Sequence, residues 1–131
     1  MGSSACPQAA RPVNATHLLL VAAGGAAGSV ARYLLSMVAV AHLGAGFPWG
    51  TLAVNILGSA AIGVAAGLGL QGETRLLVVT GFLGGFTTFS AFSLETGVLL
   101  ERSPALGVAY VAASVLLGLG AFLLCQALFR R

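Results

Sequence analysis

Between Gly81 and Glu95 the chain reads Gly-Phe-Leu-Gly-Gly-Phe-Thr-Thr-Phe-Ser-Ala-Phe-Ser-Leu-Glu, and this segment holds most of its chemistry. Four of the seven phenylalanines fall between Phe82 and Phe92, alternating with hydroxyls. Ring edges carry partial positive charge, so phenyl edges and hydroxyl protons together can solvate a small anion. Phe89 and Phe92 are spaced i, i+3, with Ser93 and Thr96 near the same helical face. Gly84-Gly85 and Thr87-Thr88 are poor helix material, because Gly loses much backbone entropy and Thr offers competing hydroxyl bonds. The pattern predicts a broken helix whose freed carbonyls are met by protein, water or an ion. Carbonyls at such breaks recur as cation ligands. A mild packing kink is the plainer alternative.

Other polar groups stand in stripes. Thr51, Asn55 and Ser59 follow i, i+4 spacing, which puts hydroxyl, amide and hydroxyl on one helix face. Tyr110, Ser114 and Gly118 repeat that spacing. Either stripe serves interhelical hydrogen bonding or lines a pore. Asn55 is singled out because an amide donates twice and is costly to bury unpaired. Arg32 either snorkels to an interface along its stem or attracts anions in a vestibule. Glu95 is a candidate proton carrier, a partner for Arg32, or a hydrogen-bond acceptor near the membrane surface.

The elements that must hold these groups follow from composition. The chain has 131 residues, 58% apolar, 7% charged, with 19 glycines, six arginines, three glutamates and no Lys or Asp. Soluble domains carry about a quarter charged residues, so this chain cannot clothe a soluble fold. A mean hydropathy of +1.00 agrees. A secreted disulfide scaffold, a disordered protein and a soluble enzyme are excluded. There is no basic cluster beyond Arg130-Arg131, hence no footprint for nucleic acid. Cys6 and Cys125 form no metal or redox motif.

Four apolar stretches are long enough for a hydrocarbon core of about 20 helical residues: 18–43, 49–70, 76–100 and 105–129. The chain is thus an all-α membrane protein, with residues 1–16 a disordered tail and 17–131 a four-helix unit. Short linkers make sequential helices antiparallel neighbours. Pro48 and Pro104 stand where first helical turns begin, with Ser103 as an N-cap. A secretory leader is a competing reading of Arg11 and the apolar run from Leu18, but that run continues far past Ala27. Arg11, Arg75, Arg130 and Arg131 share one side and only Arg102 the other, which places the termini in the cytoplasm by a small margin.

Three ordered motifs carry a resemblance. They are Gly-Gly-x-x-Gly-Ser-x-x-Arg-Tyr at 24–33, Phe-Pro-x-Gly-Thr-Leu-x-Val-Asn-x-x-Gly-Ser at 47–59, and the 81–95 segment above. Over residues 17–131 the chain resembles the Fluc/CrcB fluoride channel family. The resemblance implies a four-helix subunit that pairs antiparallel, in dual topology, with a second copy or an oppositely oriented relative. It implies that the carbonyls of Gly84 and Thr87 from both subunits hold a central structural Na⁺. Phe89 and Phe92 match the pore phenylalanines, one pair for each of two fluoride pathways, and Asn55 matches the pore asparagine, with Thr51 a turn earlier. Ser90, Ser93, Glu95 and Tyr110 would join the ion pathway, and Arg32 a vestibule. The implied role is passive fluoride leak out of a bacterial cell across its inner membrane.

Two rival classes are weighed beside it. A proton-coupled small multidrug-type exporter also packs four short spans around a carboxylate, but carries that Glu in the first span, where this chain has Arg32. A non-transporting tetraspan assembly protein predicts no ion flux and tolerance of Phe89→Ala or Phe92→Ile. Neither a Walker A sequence nor any lysine is present, which argues for passive permeation.

Overall fold

The computed structural model describes residues 13–130. Residues 1–12 of the expected tail lie outside the described residues. The described chain is all-helical, with four stretches long and apolar enough to cross a membrane: Ala15–Leu43, Trp49–Gly67, Gly72–Arg102 and Pro104–Phe129. Helix α1 (Ala15–Leu43) starts three residues earlier than the apolar run, because the Asn14 side chain caps it by accepting from the Thr16 N–H at 2.9 Å. At 1.5 Å per residue its 29 residues reach about 44 Å.

Helix α2 (Trp49–Gly67) is the most enclosed, burying Gly50, Thr51, Leu52, Val54, Gly58, Gly63 and Ala65. It ends at Gly67, three residues before the expected limit, where Leu68 leads into Gly69 at φ +66°. Only a residue without Cβ takes that backbone freely, so the chain turns there. Its 19 residues span about 29 Å, close to one hydrocarbon thickness.

The third span is composite. It comprises α3 (Gly72–Arg75), a π-helical run (Leu76–Leu83), α4 (Gly84–Phe86) and α5 (Phe89–Arg102). Thr87 (φ −78°, ψ 155°) and Thr88 (φ −150°, ψ 119°) are extended between α4 and α5. The wide π turns had no signal in the sequence pattern. Helix α6 (Pro104–Phe129) starts with Pro104 in its first turn, where a missing N–H costs nothing. Ser103 occupies the cap position but its side chain makes no capping hydrogen bond, so the expected hydroxyl cap is corrected.

Packing explains the composite span. Its first half lies on α1, while α5 lies on α6, and α2 runs along α6. The extended residues therefore let one span exchange neighbours midway. The first contact is backbone against backbone: a Cβ at Gly28 would strike the Phe82 carbonyl, leaving no side chain to yield. A Cβ at Gly58 would strike the Thr87 methyl, so glycine there lets α2 approach the corner between α4 and α5. The apolar centre is Leu52, Leu99 and Tyr110, with Phe47, Ile56, Phe92 and Ala113 packed around it. It ties α2, α5 and α6 together beside the polar groups described next.

Candidate functional site

The α4–α5 corner exposes backbone groups that regular helix would have paired. Thr87 N–H donates to the Leu83 carbonyl at 3.0 Å and its hydroxyl to the same oxygen at 2.9 Å. Asn55 takes both backbone groups of Thr88: it donates Nδ2 to the carbonyl at 3.0 Å and accepts the N–H on Oδ1 at 2.9 Å. One Nδ2 proton remains free for another acceptor. The Thr88 hydroxyl accepts from Ala91 N at 3.2 Å, capping α5, and lies 3.3 Å from the Ser90 hydroxyl. Thr88 is thus the pivotal residue that the sequence pattern did not single out beyond its place in a Thr-Thr pair.

Arg32 does not meet Glu95. Its Nε donates to the Gly85 carbonyl at 3.1 Å, and the Ser29 hydroxyl reaches the same oxygen at 3.5 Å. A guanidinium at a helix C-terminus is favourable, because the last carbonyls lack partners and carry negative partial charge. Gly84 sits in that last turn, and the N–H four residues on, at Thr88, is already taken by Asn55. Among the described residues no backbone or side-chain hydrogen bond falls on the Thr87 carbonyl.

A second cluster forms one turn along α2. The buried Thr51 hydroxyl donates to Glu95 Oε1 at 2.7 Å, and the fully buried Tyr110 donates to Glu95 Oε2 at 2.8 Å. Both carboxylate oxygens are therefore held, each by a different helix. Of the three roles open to Glu95, hydrogen-bond acceptor is the one this geometry displays, and the Arg32 pairing is corrected. Ser93 and Thr96 spend their hydroxyls on the carbonyls of Phe89 (2.9 Å) and Phe92 (2.7 Å), four residues back.

Rings join the clusters. Phe89 and Phe92 have centroids 5.5 Å apart, Phe92 and Tyr110 5.4 Å, and Tyr110 meets Phe47 edge-on at 5.5 Å and 88°. Phe89 is 79% exposed, whereas Phe92 is half-buried. A groove of about 290 Å³ runs along this edge, lined by Asn55, Ser59, Thr88, Phe89, Phe92 and Ser114 among others. Among the described residues the Ser114 hydroxyl is the one buried side-chain polar atom without a hydrogen-bond partner. Its i, i+4 spacing from Tyr110 was its only sequence signal.

Fold and site together define a small multi-pass membrane helical bundle with a groove of rings and hydrogen-bond donors. The family described as "CrcB-like protein, Camphor Resistance (CrcB)" matches residues 19–126, and the chain belongs to it. A Rhizobium etli protein called "Fluoride-specific ion channel FluC" is 52% identical over 118 residues, covering 86% of this chain and 94% of that one. Proteins of the same name from Rhizobium meliloti (48% over 120 residues, 87% and 96% covered) and Nitrobacter winogradskyi (49% over 114 residues, 82% and 90%) are similar too. The resemblance drawn from the three motifs is thereby borne out. These relatives are ion channels rather than enzymes. The chain is a multi-pass protein of the bacterial inner membrane.

Proposed function

We propose that this chain is a subunit of a fluoride-selective channel that lets fluoride leave the cell passively and so limits its toxicity. The observation that carries the reading is identity near one half, across more than four-fifths of the chain, to proteins named for that activity. The groove supplies suitable chemistry. Fluoride is small and strongly hydrated, so a path through lipid must replace its water with donors. The free Nδ2 proton of Asn55 and the rings of Phe89 and Phe92 are such donors on one groove. None carries a formal positive charge, so an anion can move on instead of being trapped. Ser90 and Ser93 border Phe89 on the same helix, and Thr51, Glu95 and Tyr110 continue the polar track beyond Phe92.

The active assembly is an antiparallel, dual-topology pair, with a second copy or an oppositely oriented relative as partner. Exposure of Phe89 beside polar donors supports a subunit that is completed by another. The interruption at Thr87–Thr88 acts as a helix break. A structural Na⁺ fits its donor chemistry, since Gly84 and Thr87 offer neutral hard oxygens and, among the described residues, no group of His, Cys, Asp or Glu competes for metal. Gly84 and Thr87 would hold that ion, which when bound supplies fixed positive charge near the anion path. Arg32 and Ser29 hold the Gly85 carbonyl, and Asn55 holds Thr88, so both flanks of the corner are fixed by side chains. Expression in a bacterium lacking its own fluoride exporter tests the role: growth in fluoride is restored if the proposal holds, and an unchanged sensitivity with protein in the membrane contradicts it.

A further inference from the structure

A cavity of about 310 Å³ opens at the end of the bundle where α1 joins α2 and α5 joins α6. The loop of residues 44–48 forms one wall, and Leu94, Val98, Leu99 and Arg102 of α5 the other. Thr51 and Glu95 also line it, so the cavity reaches the carboxylate that Tyr110 and Thr51 hold. Glu95 brings negative potential that opposes an entering anion. Arg102 is the one cationic side chain among the lining residues. It is exposed, and its Nη1 donates to the Gly46 carbonyl at 3.3 Å, which directs the guanidinium across the mouth toward the facing loop. Five N–H groups in a fixed fork leave further donors free for a passing anion.

We propose that Arg102 is the electrostatic entry residue for small anions at this mouth, offsetting Glu95 and raising the local anion concentration there. The inference rests on the channel reading above and adds to it a residue outside the 24–33, 47–59 and 81–95 motifs. A charge at a mouth acts through space: it speeds entry at low salt and loses influence when screened. The Debye length is about 30 Å at 0.01 M and about 3 Å at 1 M ionic strength, so salt separates this role from mere support of the loop.

The test is fluoride efflux from liposomes holding the full-length chain, compared for the unaltered protein, Arg102→Gln and Arg102→Lys at both ionic strengths, with an impermeant salt. The proposal expects Arg102→Gln to pass fluoride about 3- to 10-fold more slowly at about 0.01 M and to converge on the unaltered protein at about 1 M. Arg102→Lys keeps the charge and stays near the unaltered rate throughout. Equal rates for Arg102→Gln at low salt overturn the proposal. So does an equal deficit at both salts, which would make the residue a support for residues 44–48 only. An unaltered protein that reconstitutes folded yet passes no fluoride overturns the channel reading instead, and this inference with it.

Discussion

The side-chain amide of Asn55 takes both the N–H and the carbonyl of Thr88, at 2.9 and 3.0 Å, as a neighbouring β-strand would. A single residue of α2 thereby satisfies the backbone at the point where the third span changes partners, from α1 to α6. It does so with one amide proton to spare. Structural support and a spare hydrogen-bond donor meet in one side chain.

Replacing Asn55 with Asp keeps the acceptor and removes the donor, setting a carboxylate against the Thr88 carbonyl. An unsatisfied half-buried carbonyl costs about 1–3 kcal/mol, and an added negative charge opposes an anion in the groove. Thermal unfolding in detergent is expected to shift downward, and fluoride flux to fall by more than about 10-fold, since each 1.4 kcal/mol of barrier is one decade. A stable Asn55→Asp protein with unchanged flux would contradict both roles.

The rings separate function from stability. Phe89 is 79% exposed, so Phe89→Ile removes little buried contact within the subunit. It is expected to leave unfolding of the isolated subunit nearly unchanged while lowering fluoride flux by at least about 10-fold, through loss of a polarised ring edge. Phe92 packs on Tyr110, so Phe92→Ile is expected to lower flux and stability together. Paired flux and unfolding measurements on both variants check the contrast.

Glycine positions give a prediction independent of transport. A Cβ at Gly28 meets the Phe82 backbone, which cannot swing away, so Gly28→Ala is expected to destabilise by about 2–4 kcal/mol or prevent assembly. A Cβ at Gly97 or Gly120 meets nothing within 4 Å. Alanine there is expected to stabilise the helix by about 0.5–1 kcal/mol, the usual propensity gain. Denaturation curves for the three variants test the ranking.

Glu95 distinguishes the channel from a proton-coupled exporter. Thr51 and Tyr110 donate to its two oxygens, and a neutral amide in its place still accepts on one of them. Glu95→Gln is expected to keep fluoride permeation within about 10-fold in either direction. It weakens one hydrogen bond of about 1.4 kcal/mol and also removes a negative charge that opposes an anion at the mouth. An exporter that cycles a proton on this carboxylate would lose drug efflux completely. Parallel fluoride and drug-efflux assays on the variant decide between them.

Much of this was legible in the residues, and the remainder has identifiable causes. Hydropathy located the spans because lipid leaves so little room for charge, and the helix ends missed by a few residues were set by local backbone chemistry. Asn14 caps α1 early, and Gly69 with positive φ ends α2 early. The π-helical run escaped notice because its apolar residues fit an α-helix equally well. The stripes pick out Thr51, Asn55 and Tyr110, and charge within a span picks out Glu95, but spacing along one helix cannot say who meets whom across helices. That is why Glu95 found Tyr110 rather than Arg32, and why Thr88 stood hidden in a Thr-Thr pair. Poor helix propensity marks the Gly84-Gly85 and Thr87-Thr88 pairs together, whereas the choice of Gly84 and Thr87 among them comes from the family resemblance alone.

Topology is open to direct measurement as well. An antiparallel pair of identical chains needs insertion in both orientations, although the arginines lean toward cytoplasmic termini. A C-terminal tag is expected on both faces of the membrane, read by protease accessibility in vesicles from each orientation. Detection on one face alone would replace the identical copy with an oppositely oriented relative.

The central claim is selective passive permeation, and fluoride release from liposomes containing only the purified chain tests it most directly. With Na⁺ present, a fluoride electrode is expected to record rapid, protein-dependent efflux, while the same vesicles loaded with chloride retain it. Folded, membrane-inserted protein that releases no fluoride, or releases chloride equally fast, would contradict the account.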